Sequence, residues 1–150
     1  MTEMNRAESV ASEAAILVGV MLPNRPHLGD PLEELEGLAA TAGANVVGRL
    51  TQRRDTPDMT TYLGKGKVEE LSQLAQATDA DIAIFDNDLS PAQIRNLEQA
   101  TGVKVLDRTE LILDIFATRA QTFEARLAVE LAQLQYSLPR LKGCGPTCRA

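Results

Sequence analysis

Cysteine, histidine and long apolar runs are scarce in this chain of 150 residues, and each scarcity removes a class of function. The two cysteines, Cys144 and Cys148, both lie in the tail. A CxxxC pair with one distant histidine cannot build a four-ligand zinc site, so reduced thiols and no metal are expected. The single histidine, His27, stands in a proline-rich loop with no evident nucleophile and reads as a loop residue. The longest apolar run, Ala14 to Leu22, has nine residues. It is too short to span a bilayer and lacks the basic n-region and cleavage pattern of a signal peptide. A soluble, cytoplasmic protein without a membrane partner is the expectation. Positive charge is short too, and a net charge of −6 argues against a general grip on nucleic acid. The deficit is uneven. Residues 1–107 hold 9 Lys/Arg against 17 Asp/Glu, net −8, whereas residues 108–150 hold 6 against 4, net +2. Any polyanion contact should therefore be local to the second segment.

What is present is a βα alternation on a chain that is 44% hydrophobic and long enough for its own core. Residues 1–13 are polar, acidic and aperiodic, and read as a flexible N-terminus. Ala15 to Val20 is an unbroken apolar run with β-branched members, which predicts a buried strand. Pro23, Pro26 and Gly29 mark a loop. Asp30-Pro31-Leu32-Glu33 combines an N-cap, proline at N1 and an acid at N3, and Leu32, Leu35, Leu38 and Ala39 follow at helical spacing to Gly43. A second strand is expected over about 45–52, with one face open to solvent. Tyr62-Leu63 could add a short strand. Gly64-Lys65-Gly66-Lys67 then opens a helix with Val68, Leu71, Leu74 and Ala75 on one side. Ile82 to Phe85 predicts another strand. Ser90-Pro91-Ala92-Gln93 is a capping box with proline at N1, its helix ends at Gly102, and Val103 to Leu106 is a fourth strand. Such alternation predicts a small, mostly parallel four-stranded α/β sheet over residues 14–107.

In an open parallel sheet, ligands bind outside the carboxyl ends of the strands. The Gly64 to Lys67 turn could hold a phosphate at a helix N-terminus, or be a glycine turn with surface lysines. It is not a Walker A loop, because Thr61 stands where the first glycine is needed and Val68 where Ser or Thr is needed. Nor does it make the dinucleotide G-x-G-x-x-G pattern. Asp86 and Asp88 could hold Mg²⁺ or accept a phosphoryl group, or be turn and cap residues. A receiver-type reading needs an acidic pair after the first strand as well, and Met21-Leu22-Pro23-Asn24 stands there instead. Arg108 is the cation at the end of the fourth strand. Together Gly64, Lys65, Gly66, Lys67, Asp86, Asp88 and Arg108 are the candidate phosphate or nucleotide residues.

Residues 108–142 read as a helical arm, followed by an irregular tail at 143–150. Asp107 with Glu110 makes a capping-box pattern, and Leu111, Ile112, Ile115 and Phe116 share a face. A second helix starts near Thr122. Its leucines, Leu127, Leu131, Leu134, Leu138 and Leu141, are spaced four, three, four, three, which is a heptad seam that needs a partner helix. Pro139 weakens its end. The seam is expected either to self-associate across residues 127–141 or to fray beyond about Gln133.

LDRTELILDIFATRA followed by ELAQLQYSLPRL, with TYLGKGKVEEL at 61–71 and IFDNDLSPAQIRNLEQATGVKVLDRTELILDIFA at 84–117 in the same order, resembles the N-terminal region of the HflX family of ribosome-associated GTPases. The likeness covers roughly residues 15–142. It implies a small α/β subdomain followed by a helical one that binds the large ribosomal subunit, in a protein that splits ribosomes under stress and uses GTP and Mg²⁺. Adenine nucleotide at the α/β part, ATP included, is a further implication. Arg119, Arg126, Arg140 and Lys142 are then the candidate rRNA contacts. GTP hydrolysis needs a P-loop, a DxxG and an NKxD, and none occurs in this sequence, so no GTPase turnover and no resident cofactor are expected of it. After PRLKG the family continues helical toward its G domain, whereas CGPTCRA follows here, which reads as a truncated arm. Two rival readings stand beside this one. One is a stand-alone purine-nucleotide module using Lys65 and Lys67. The other is an interaction module docking through the leucine seam.

Overall fold

The computed structural model describes residues 10–23, 29–119 and 123–141; in the last helix the side chains described are those of 127–139. His27, Lys142, Cys144 and Cys148 lie outside the described residues. The elements are β1 (Ala14–Met21), α1 (Glu33–Thr41), β2 (Asn45–Arg53), α2 (Lys65–Thr78), β3 (Ile82–Phe85), α3 (Pro91–Thr101), β4 (Lys104–Asp107), α4 (Arg108–Arg119) and α5 (Phe123–Leu141). All strand pairs are parallel, in the order β2-β1-β3-β4. This is the four-stranded parallel α/β sheet that the alternation predicts.

The sheet is buried on both faces, which is why its central strands are continuous apolar runs. Ile16, Val18 and Val20 point to one side and join Leu71, Phe85, Ile94 and Leu97, under α2 and α3. Ala15 and Leu17 point to the other and join Leu35, Ile84, Leu106, Leu111 and Ile115, under α1 and α4. Each fully buried Leu, Ile or Phe contributes about 1.5–3 kcal/mol. β2 is an edge strand and exposes alternate residues. Gly19 lets α1 approach β1 closely, because a Cβ there would lie 2.7 Å from Leu32 Cδ2.

The local signals are realised to different degrees. Ser90 and Gln93 form the reciprocal capping box of α3, and Gly102 closes that helix at φ +76°. Gly43 follows α1 at φ +85°. α1, however, starts later than Asp30-Pro31 suggests. Asp30 Oδ1 accepts from the Leu32 N–H at 3.0 Å and also pairs with Arg49 on β2, so it closes a turn ahead of the helix. Leu32, buried beside Gly19, takes the cap position without a side-chain bond. Tyr62-Leu63 is not a strand. Tyr62 makes one antiparallel bridge to Asp58 and sits at φ +66°.

The largest departure concerns α4. The sequence reading sends the whole pair after Asp107 away from the sheet, yet Leu111 and Ile115 are buried in the core beside Ile84 and Leu106. Only half of the expected stripe is used, and Phe116 is 56% exposed. α5 packs on α4 and α3 through its Tyr136–Ser137 side. Its leucines look outward: Leu127, Leu131, Leu134 and Leu138 are 53%, 55%, 52% and 42% exposed.

Candidate functional site

β1 lies between β2 and β3, and the helices that follow β1 and β3 cover opposite faces. The carboxyl ends of β1 and β3 are thus the switch point, where such sheets usually open a crevice. Here the crevice is stapled. The Asn87 side chain, buried just past β3, accepts from the Val20 N–H at 3.0 Å and donates to the Val20 carbonyl at 3.3 Å. Asp86 Oδ1 receives Arg108 Nη1 at 2.9 Å, and the other guanidinium nitrogen meets Glu34 on α1. The Glu34 bond leads the effects that raise the Arg108 pKa, against a smaller lowering by burial. Asp88 Oδ1 accepts from the Thr109 hydroxyl at 2.8 Å. Asp86 and Arg108 are thus paired with each other, and Asp88 with Thr109, at the ends of β3 and β4. No group of three or more metal-ligating side chains occurs among the described residues.

The Gly64 to Lys67 turn stands apart, after β2. Gly64 is the N-cap of α2, and its N–H donates to Gln52 Oε1 at 2.8 Å. A Cβ on Gly64 would lie 2.7 Å from Arg54 Nη1, so that guanidinium stands against the start of the helix. Lys65 is exposed, Lys67 pairs with Glu70 at 3.1 Å, and the first turn holds no acid. Lys67 is offset by Glu70, which leaves Arg54 and Lys65 as the cations nearest the positive end of the helix, where an anion is favoured. The preceding loop is braced. Asp58 Oδ1 accepts from the Thr60 and Thr61 N–H groups at 2.7 and 3.0 Å, and these bonds hold its carboxyl below its ordinary pKa. Gln93 and Asn96 on α3 donate to the Asp58 and Thr60 carbonyls at 2.8 and 2.9 Å. Lys65 lines an open groove with Asp58, Thr60, Thr61, Ser72 and Gln73.

The sequence pattern shows Asp107 only as a cap. Fully buried at the end of β4, it accepts from Glu110 N–H at 3.0 Å, from Leu89 N–H at 3.2 Å and from the Tyr136 hydroxyl, so it ties β4, α4 and α5 together. Nearby, Asp114 is 5% exposed and its Oδ2 has no hydrogen-bond partner. Burial pushes its carboxyl up, opposed by the Val10 N–H and Lys104. A raised folded value means the stabilising form is the protonated one: its contribution is complete below the unfolded pKa and is lost as pH rises through the folded pKa. Asp114→Asn is therefore expected to raise the melting temperature at neutral pH by about 2–4 °C, with the gap closing below about pH 4. Melting curves across that range check it, and an equal gap at every pH would remove titration as the cause.

Of the proposed rRNA contacts, Arg119 is exposed at the end of α4. Arg126 and Arg140 lie on α5, but their side chains are outside the described set. Residues 29–117 match the family described as GTP-binding GTPase N-terminal, and residues 119–148 match GTP-binding GTPase Middle Region. The chain is similar to a GTPase HflX of Alkalihalophilus pseudofirmus, at 50% identity over 89% of this chain and 32% of that protein. A GTPase HflX of Caldanaerobacter subterraneus is 51% identical over 89% of this chain and 31% of that protein. A solved structure of a GTP-binding protein from Sulfolobus solfataricus in complex with GDP superposes with a TM-score of 0.64, at 26% identity, over 87% of this chain and 38% of that one. The chain spans about a third of the length of the curated relatives it matches.

Proposed function

Because this chain belongs to the HflX family of GTPases, we propose that it binds the large ribosomal subunit through rRNA, in the cytoplasm. On this reading it is the N-terminal part of a ribosome-splitting protein whose GTP and Mg²⁺ chemistry lies in another domain. The observation that supports it is the segregation of charge. Residues 108–150 are net +2 on a chain whose first 107 residues are net −8, so a phosphate backbone meets attraction on one segment and repulsion on the rest. The absence of P-loop, DxxG and NKxD motifs fits a binding role for these residues rather than hydrolysis. Pelleting with purified large subunits through a sucrose cushion at increasing salt tests the proposal. Co-pelleting that falls steeply with salt is the expected result; no co-pelleting at low salt would sink it.

A second reading places a purine nucleotide, ATP among them, against Gly64 to Lys67. It is favoured by Arg54 and Lys65 standing at the start of α2, whose first turn holds no acid. Changing Lys65 and Lys67 together to Ala should weaken nucleotide binding by about 1.5–3 kcal/mol for each charge-assisted bond lost. Calorimetry with ATP checks this, and equal affinity in the variant would assign both lysines to solvated surface.

A further inference from the structure

We infer that the joint between α4 and α5 holds one internal water, bound by Asp114 and shared between the two helices. Glu110 and Asp114 stand four residues apart on α4, and Gln133 and Ser137 four apart on α5, so each pair shares a helix face. The two faces meet. With Leu113 and Tyr136 they line a cavity of about 10 Å³. That is room for one water and for no larger ligand. The atom that calls for it is Asp114 Oδ2, which has no hydrogen-bond partner although the residue is only 5% exposed. A carboxyl oxygen kept from solvent and left unpaired costs free energy that a hydrogen bond recovers.

The surrounding groups suit water better than a cation. Lys104 lies near enough to act on the Asp114 carboxyl, and a second positive charge would be opposed there. The Tyr136 hydroxyl is already committed to Asp107. Gln133 brings an amide and Ser137 a hydroxyl, and each can donate as well as accept. With Asp114 Oδ2 they offer a water three polar partners, the usual number at a buried water site. Water also serves the acid in either protonation state, since it donates to a carboxylate and accepts from a carboxylic acid. The site falls where the two matched regions meet. Asp114 belongs to residues 29–117, and Gln133 and Ser137 belong to residues 119–148. A water at this boundary lets α5 part from α4 by trading its bridging bonds for bonds to bulk solvent.

Magnetic relaxation dispersion of the water oxygen, measured on the full chain at neutral pH, counts long-lived internal waters and tests the inference. Asp114→Leu removes the acceptor and fills the space, so its dispersion should be smaller than that of the wild type by the amplitude of one water. Asp114→Asn keeps an acceptor and should retain the wild-type amplitude, which separates a bound water from an effect of charge. Circular dichroism establishes that both variants keep the helix content. Equal amplitudes in the wild type and a folded Asp114→Leu would overturn the proposal and leave Asp114 bonded directly to α5. Should the leucine variant fail to fold, a crystal structure of the wild type at atomic resolution decides. An ordered water about 2.5–3.0 Å from Asp114 Oδ2 supports the site, and a dry cavity overturns it.

Discussion

Asp107→Ala is expected to lower the free energy of unfolding by about 3–5 kcal/mol. The carboxylate is fully buried where β4 passes into α4. One oxygen receives the Glu110 N–H and caps the helix; the other receives the Leu89 N–H and the Tyr136 hydroxyl. Loss of a helix cap costs about 0.5–2 kcal/mol. Each buried donor left without an acceptor adds about 1–3 kcal/mol. Against a total stability of roughly 5–15 kcal/mol, this change removes a large share of the margin, and all of it only at the low end of that range. The series can be ranked. Tyr136→Phe removes one bond and should cost about 1 kcal/mol, with the damage confined to the α5 contact. Asp107→Asn keeps an acceptor for the cap and should fall between the two. Urea midpoints of the three variants decide the matter. If Asp107→Ala costs no more than Tyr136→Phe, Asp107 does not join these elements energetically.

Asp107 also shows what a sequence can and cannot reveal. Its role as a cap is legible, because an acid three residues ahead of Glu110 is a local pattern. Its bonds to Leu89 and Tyr136 are not, because they join residues 18 and 29 positions away through the sheet order. The same holds at the switch point. Asp86-Asn87-Asp88 reads as a metal or turn motif, yet Asn87 is used to staple β3 to β1, a pairing fixed only when β3 adds beside β1. Local signals that stay local are read well. The apolar run of β1, the Ser90–Gln93 box and the glycines at 43 and 102 all do in the fold what their chemistry predicts. α4 fails for a different reason. A helical stripe states that something covers it, not what, and Leu111 and Ile115 met the sheet while Phe116 stayed in solvent. At α5 the same ambiguity went the other way, and the stripe of leucines stayed uncovered while Tyr136 and Ser137 made the contact.

Reversing Arg119, Arg126, Arg140 and Lys142 together to Glu is expected to weaken binding to large ribosomal subunits by about a hundredfold or more at physiological salt. Each cation that neutralises a phosphate contributes roughly 0.7–0.9 to the slope of log affinity against log salt, so four lost contacts should flatten the slope by about three. Reversal goes further than neutralisation, since it extends the negative charge of residues 1–107 over the segment that carries the excess of positive charge. Arg119 is exposed at the end of α4, so its change should leave the core intact. Helix content by circular dichroism checks that for the set. A matched control is Lys65→Glu with Lys67→Glu, which changes charge at α2 and leaves the arm untouched. If the arm set loses both affinity and salt slope while the α2 pair keeps them, binding is local to α4 and α5. Equal losses in both would reduce the effect to net charge. Unchanged binding in the arm set would remove these four residues from the interface and, with them, the observation on which the ribosomal reading rests.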